Sequence, residues 1–400
     1  MAEVLLNVPW AQQETSFFCG PAVAEMLISS AGTARPASPP TWQQRLWQDI
    51  QAQTLESRPP DADVEPSSFP SQKCERCRGD RDWHCWATTP EALKRVLNMR
   101  QAATVFAVQA HAGEGAATKQ LLASIDAGHA PAALVYGWQH WVIVRGYTHG
   151  MSKSCPAAGR QFSGLYLRNS KVNNPLHYVT CSKWYDDYLR SVPCGEYSGD
   201  YVVITGTAAM PVSNPEPPSP PPAPPDGPRG DLIDADIAVR EAEIAARELL
   251  ELQPTRWNPG LANKPARAPL LVRRLDRENR YYYIVSFGPE RRETARLIVD
   301  GHTAEFGEAI AVESEEGWLP PFVEPQRALD FWSARLVDLP ALRHRRIARE
   351  AVKVDDRLVW RPCDQSTTPF LPFYQVMVGD NLVYLRIDGE AFDRLTESLA

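Results

Sequence analysis

Four residues in the N-terminal half have the side-chain types needed for acyl transfer through a thiol. In chain order they are Gln13, Cys19, His140 and Asn169. A thiol nucleophile needs a base that takes its proton, a third group that orients the base, and donors for the oxyanion. The cysteine could be the nucleophile, the imidazole its base and the asparagine amide the orienting group. The amide of Gln13 and the backbone N–H of Cys19 could be the oxyanion donors.

The sequence around Cys19 predicts that the thiol lies at the start of a buried helix. Gly20 and Pro21 follow it, and proline suits the first helical turn because its N–H would have no partner there. Apolar residues then recur at helical spacing: Val23, Met26 and Leu27. The positive end of a helix dipole favours the thiolate over the thiol. The alternative for this stretch alone is a small buried cysteine without a catalytic role.

The other two candidates are predicted to lie on strands of one sheet. His140 falls in the run 139–147 and Asn169 in the run 164–170, and both runs are rich in β-branched and aromatic residues. Other strands are predicted at 104–108, 132–136 and 201–205, and helices at 88–97 and 118–127. Helices followed by strands are typical of an α+β domain with an antiparallel sheet. Residues 36–72 are predicted to be an irregular surface excursion around a short amphipathic piece, 42–55.

Three runs of sequence resemble the papain-like cysteine peptidase superfamily: Gln13-(five residues)-Cys19-Gly20-Pro21, His140-Trp141-Val142 and Arg168-Asn169-Ser170. They are most similar to bacterial peptidases of the double-glycine leader-processing type and their stand-alone relatives. Some type III effector proteases of plant pathogens share the arrangement. The resemblance covers residues 1 to about 207. It implies a helical subdomain carrying the cysteine, packed on an antiparallel sheet carrying the histidine.

The resemblance also implies a role for each residue. Cys19 is expected to be the nucleophile, His140 the general base and acid, Asn169 the orienting group, and Gln13 an oxyanion donor. The implied activity is hydrolysis of a protein or peptide substrate through an acyl-enzyme. An acyl or peptidyl transferase and a deamidase are alternatives that use the same site. A peptide-binding module whose cleft does not turn over is an alternative of a different class.

The sequence departs from the leader-processing type in several places. Those peptidases usually have Asp where this chain has Asn169, and Asn-Ser is closer to papain itself. Asn173 or Asn174 is an alternative third member. Phe18, directly before the cysteine, is bulky and apolar. The ATP-transporter regions that accompany leader peptidases are absent from the 400 residues, which counts against a role in bacteriocin export.

A proline-rich run divides the chain. Residues 211–228 are typical of an extended polyproline II spacer, which cannot form a core. The predicted organisation therefore has three parts: a papain-like peptidase domain (1–210), the linker (211–230) and an α+β domain (231–400).

The C-terminal domain is predicted to use a helix-plus-hairpin unit twice, over 231–320 and 321–400. Helical patterns at 231–252 and 325–337 each precede two strands with Asp-Gly turns: 281–301 and 372–389. Because this half holds no concentrated set of reactive groups, we expect it to bind a target protein or to regulate access to the cleft. Self-inhibition is an alternative form of that regulation.

Charge and hydropathy exclude several partners. The net charge of −7 argues against nucleic acid or an anionic membrane as the main partner, and no apolar run approaches the length of a bilayer span. The N-terminus lacks a basic region followed by a long apolar region. We therefore expect a cytoplasmic protein, or one exported without a cleavable signal peptide.

Eight cysteines are a low density for 400 residues and do not indicate a disulfide scaffold. Cys74 and Cys77, with His84 and Cys85, form a possible zinc site, although adjacent residues seldom both bind one metal. No cofactor is expected otherwise. Three further cysteines are expected to be thiols, with one pair able to form in an oxidising space: Cys155, Cys181 and Cys194.

Overall fold

The computed structural model describes these residues: 2–15, 18–30, 41–56, 88–101, 104–149, 154–172, 176–193, 197–208, 231–289, 292–314, 316, 319, 322, 352–363 and 365–396. The chain divides into two compact units, Met1–Asp226 and Gly227–Glu397. The division falls inside the segment 211–230. Each unit is mixed α+β, and its strands are mostly antiparallel, as the sequence predicts.

The first unit has five helices in its described part: α1 (Cys19–Ser30), α2 (Trp42–Glu56), α3 (Pro90–Arg100), α4 (Glu114–Asp126) and α5 (Cys181–Lys183), which a π-helical turn continues over Trp184–Tyr188. The start of α3 follows the predicted signals. Thr89 caps it by accepting a hydrogen bond from the Ala92 N–H at 3.2 Å, and Pro90 occupies the first turn.

Helix α2 corrects one prediction. Its segment was expected to belong to an irregular surface excursion, but α2 packs against α1 and α3. It buries Leu46 and Ile50 completely, with Trp42 nearly so. The short apolar stripe was enough for a core helix because two neighbouring helices cover it.

Nine strands lie among the described residues of this unit: β1 (Ala2–Leu5), β2 (Thr104–His111), β3 (Ala132–Val135), β4 (His140–His149), β5 (Cys155–Pro156), β6 (Gln161–Phe162), β7 (Gly164–Arg168), β8 (Leu176–Thr180) and β9 (Tyr201–Ala208). Six of them form an antiparallel sheet in the order β8-β7-β4-β3-β9-β2, and β1 also pairs with β4. The five predicted strands are confirmed, whereas β1, β8 and the two-residue strands β5 and β6 were missed. Strand β4 lies between β3 and β7, so the predicted histidine strand pairs directly with the predicted asparagine strand.

A disulfide joins Cys155 on β5 to Cys181 at the start of α5. The expectation that these cysteines are thiols is therefore wrong. Their Cα atoms lie 5.7 Å apart, a normal separation for a disulfide. The hairpin of β5 and β6 is also held by Arg160, which pairs with Asp126 of α4.

The second unit has two helices in its described part, α6 (Ala235–Leu252) and α7 (Pro254–Leu261). Its strands are β10 (Leu270–Arg274), β11 (Tyr281–Phe287), β12 (Ala295–Asp300), β13 (Phe306–Ala311), β14 (Val352–Trp360), β15 (Phe373–Val378), β16 (Asn381–Arg386) and β17 (Ala391–Phe392). Helix α6 packs its apolar face on β11, β12 and β13.

Both predicted hairpins of the second unit are confirmed, as the antiparallel pairs β11–β12 and β15–β16. Each belongs to a run of four consecutive antiparallel strands, and the first strands of the two runs, β10 and β14, pair in parallel. The predicted second helix, 325–337, lies outside the described residues, so the repeat of a complete helix-plus-hairpin unit stays a prediction. No helix in the described parts of either unit is long and apolar enough to cross a bilayer.

Candidate active site

Cys19 is the first residue of α1 and is 2 % exposed. Every residue of this helix from Cys19 to Ile28 is buried, which is typical of a helix enclosed by its domain. Helix α1 packs against β4. Cys19 belongs to the same apolar cluster as Trp138 and Trp141, which flank His140 in the sequence. The fold therefore brings the thiol-bearing helix to the start of the histidine strand.

Gly20 permits a close approach directly behind the thiol. A Cβ atom at this position would lie 2.3 Å from the side chain of Thr88, far inside van der Waals contact. Thr88 is fully buried, and its carbonyl accepts a hydrogen bond from the Trp141 indole N–H at 3.2 Å. Glycine after the cysteine thus lets the start of α1 lie against the residues that lead into α3.

His140 begins β4 opposite Val135 of β3 and has no exposed surface. Its Nε2 lies 2.9 Å from the Oδ1 of Asn169, which directly follows β7. Because β4 and β7 are adjacent antiparallel strands, the start of one meets the end of the other. The sheet therefore brings together the imidazole and the carboxamide that the sequence predicts to act as a pair.

A second hydrogen bond fixes which imidazole nitrogen carries the proton. Oδ1 of Asn169 also accepts the backbone N–H of Lys171 at 3.0 Å, so this atom is the carbonyl oxygen of the amide. An oxygen acceptor facing Nε2 requires that Nε2 of His140 donates. In the neutral ring the lone pair then lies on Nδ1. Nδ1 is buried and has no hydrogen-bond partner within the described part of the chain.

Burial and, to a smaller extent, the positive charge of Lys171 lower the pKa of His140 from 6.5 to about 3, and this value includes the opposing effect of the hydrogen bond to Asn169. The imidazole is therefore neutral at neutral pH. A neutral ring with its lone pair on Nδ1 can accept a proton, which a general base must do.

The loop before Cys19 crosses the end of β7 and holds Asn169 in place. The indole N–H of Trp10 donates to the main-chain carbonyl of Asn169 at 3.2 Å, and the buried Arg168 side chain donates to the main-chain carbonyl of Val8 at 3.1 Å. Asn169 is itself only 2 % exposed. The main chain at Asn169 is thus fixed by the same loop that leads to the thiol.

Gln13 lies on this loop, next to Ser170. Its backbone N–H donates to the Ser170 carbonyl at 3.1 Å, and its Oε1 accepts the Ser170 hydroxyl at 2.9 Å. Its Nε2 donates to the Thr15 carbonyl at 2.6 Å. The structure brings Gln13 to the end of the asparagine strand, and its role as an oxyanion donor stays a prediction.

Several predicted alternatives lie outside the described residues. They are the candidate zinc ligands Cys74, Cys77, His84 and Cys85, the alternative third members Asn173 and Asn174, and Cys194. Within the described ranges, no three His, Cys, Asp or Glu side chains form a group that could hold a metal ion.

The sequence did not identify Trp10, Thr88 or Lys171 as neighbours of the site. Their contacts with it are made by a backbone group or an indole ring, and neither leaves a recognisable pattern in one sequence. Comparison with known proteins adds no assignment, since no family model, no curated protein and no solved structure matches the chain.

Proposed function

We propose that the first unit is a papain-like cysteine peptidase that hydrolyses peptide bonds in a protein or peptide substrate. The observation that carries the proposal is the buried hydrogen bond from His140 Nε2 to Asn169 Oδ1, which leaves the lone pair on Nδ1. Cys19 at the start of a buried helix that packs on the histidine strand supports it further. These are the groups that a thiol acyl-transfer site requires.

In the proposed first step, Nδ1 of His140 takes the proton from Sγ of Cys19 while Sγ attacks the substrate carbonyl carbon. The carbonyl oxygen becomes an oxyanion, held by the backbone N–H of Cys19 and the side-chain amide of Gln13. The imidazolium formed in this step keeps its Nε2–H on Asn169, whose Oδ1 favours the charged ring.

In the proposed second step, Nδ1 gives its proton to the leaving amine, the C–N bond breaks, and an acyl-enzyme remains on Sγ. Water then attacks the acyl carbon as Nδ1 accepts one of its protons. Collapse of this second tetrahedral species releases the carboxylic acid, and the proton returns to Sγ. No cofactor takes part in this sequence.

Labelling of the thiol tests whether the site is activated. We expect iodoacetamide or an epoxysuccinyl probe to label Cys19 selectively near neutral pH, and Asn169→Ala to slow that labelling. Cys363 is a matched internal control, because it is also a buried thiol outside any disulfide. Equal labelling of Cys19 and Cys363 would contradict the proposal and favour a non-catalytic peptide-binding module.

A peptide library analysed by mass spectrometry separates the possible acceptors of the acyl group. A peptidase yields cleaved peptides with free carboxylates. A transferase yields amides when an amine is added, and a deamidase converts glutamine or asparagine side chains without cutting the backbone.

We propose that the second unit recognises a target or regulates access to the cleft. Faster labelling of a chain ending near residue 210 would indicate self-inhibition.

A further inference from the structure

A buried glutamine on α2 contacts the loop that carries Gln13. Gln43 is 3 % exposed and lies in the first turn of α2. Its Nε2 donates to the Gln12 carbonyl at 2.7 Å, and its Oε1 accepts the Glu14 backbone N–H at 3.1 Å. One side chain therefore binds the main chain on both sides of Gln13.

The same amide also reaches α1. Nε2 of Gln43 donates to Oε2 of Glu25 at 2.7 Å, and Glu25 is 5 % exposed. Both N–H groups and the oxygen of the Gln43 amide are thus engaged. Glu25 belongs to the helix that Cys19 begins. Gln43 therefore connects the loop before the thiol to the helix that carries the thiol.

The loop is held from its other side by Ser170, whose carbonyl and hydroxyl both contact Gln13. Gln13 consequently lies between two fixed supports, the end of β7 and the first turn of α2. An oxyanion donor must be fixed to within a fraction of an ångström, because its benefit comes from preorganisation. A buried, fully bonded amide can provide this, since any shift of the loop breaks one of its bonds.

We infer that Gln43 is a positioning residue that sets the main chain around Gln13 for oxyanion binding. This inference rests on the proposed function and adds a residue to its site. Gln43 touches neither substrate nor thiol in this scheme. Its effect is therefore expected on oxyanion binding and not on the nucleophilicity of Cys19.

A peptide aldehyde and a haloacetamide separate these two properties. Sγ of Cys19 adds to the aldehyde carbon, the thiol proton passes to the aldehyde oxygen, and the resulting hemithioacetal places that oxygen against the oxyanion donors. Alkylation by iodoacetamide forms an S–C bond and expels iodide without creating an oxyanion. Aldehyde affinity therefore measures how well the loop positions the oxyanion donors, and the alkylation rate measures the nucleophilicity of Cys19.

Gln43→Glu is the informative variant. It keeps an acceptor for the Glu14 N–H but places acceptors opposite the Gln12 carbonyl and the Glu25 carboxylate, where two like charges repel. We expect aldehyde affinity to fall roughly tenfold or more, since loss of one oxyanion donor costs about 100-fold or more in rate. The alkylation rate of Cys19 is expected to stay within about twofold.

Gln44→Glu is the matched control. It makes the same change one residue further along α2, at an exposed side chain whose Oε1 accepts the Thr41 N–H, and a carboxylate keeps that bond. We expect aldehyde affinity equal to that of the wild type. If Gln43→Glu also binds the aldehyde as the wild type does, the positioning role is wrong while the proposed function stands. If the wild-type chain binds no aldehyde and Cys19 is not selectively labelled, the proposed function fails, and this inference fails with it.

A double variant that exchanges the side chains of Glu25 and Gln43 separates an effect on the position of the loop from an effect on overall stability. It can also be tested if Gln43→Glu alone does not fold. Glu25→Gln combined with Gln43→Glu restores one amide–carboxylate bond between α1 and α2 but leaves the Gln12 carbonyl facing an acceptor. We expect the thermal midpoint to return towards that of the wild type, while aldehyde affinity stays low. Full return of both would overturn the inference, because the contact between the helices would then be sufficient.

Discussion

Protonation of His140 should oppose folding of the first unit, and the size of this effect follows from its burial. The pKa of His140 is lowered from 6.5 to about 3, because the ring is fully buried and Lys171 is nearby. Between these two values the unfolded chain binds a proton that the folded chain does not. Stability therefore falls as the pH falls through this window. Each pH unit contributes about 1.4 kcal/mol, so we expect a loss of about 2 kcal/mol between pH 6.5 and pH 5.

Other groups titrate over the same range, so the His140 contribution must be isolated by a variant. We compare the wild type with His140→Gln, which has no titrating ring at this position. The free energy of unfolding of the first unit can be followed by the urea dependence of Cys19 exposure to a dipyridyl disulfide, which reacts with thiols at acid pH. Mass spectrometry of the labelled peptide separates Cys19 from Cys363.

Between pH 6.5 and pH 5 we expect the wild type to lose about 2 kcal/mol more unfolding free energy than His140→Gln does. Parallel pH profiles of unfolding free energy for the two proteins would mean that the ring has the same pKa in the folded and the unfolded chain. That result would refute the assignment of a buried neutral imidazole. A shift of opposite sign would mean that folding raises the pKa of His140, as a resting thiolate–imidazolium pair with Cys19 would.

Three further outcomes follow from single contacts. Asn169→Ala removes the acceptor of the His140 Nε2–H. We expect peptide turnover to fall roughly 10-fold or more with little change in KM, because the orientation of the base affects the chemical step and not substrate binding. Unchanged turnover would exclude Asn169 as the orienting group. Gly20→Ala forces a methyl group onto the buried Thr88 side chain, and we expect about 2 kcal/mol of destabilisation by urea unfolding. Gly115→Ala on α4 is the contrasting variant, because a methyl group there meets nothing closer than 3.4 Å. Reduction of the disulfide, which spans 26 residues, should cost the first unit about 3 kcal/mol, and an unchanged urea midpoint would contradict this.

Local signals explain why much of the site could be predicted from sequence. The start of α1 at Cys19 follows from glycine and proline in the first turn and from apolar residues at helical spacing. The strands that carry His140 and Asn169 follow from their composition. The 2.9 Å contact between His140 and Asn169 requires that β4 and β7 are antiparallel neighbours. The order of the elements predicted that both strands belong to one sheet, but not that they are neighbours in it.

Features that depend on distant contacts were missed for a physical reason. Helix α2 has proline-, serine- and aspartate-rich flanks, and its burial becomes apparent only when α1 and α3 cover it. The disulfide requires β5 and the end of β8 to approach across 26 residues of sequence. No sequence pattern identifies Gln43, because its role depends on three hydrogen bonds to other segments of the chain.

The disulfide makes a covalent ring out of the segment that carries Asn169. Cys155 and Cys181 close a loop that contains β6, β7 and β8, while Cys19 and His140 lie outside it. A single cut in the backbone between the two cysteines therefore leaves one connected molecule. Such a nick would be invisible on a denaturing gel without reductant and would appear as two fragments after reduction. A chain cut there, by itself or by another peptidase, keeps the strand that supplies the orienting amide covalently attached.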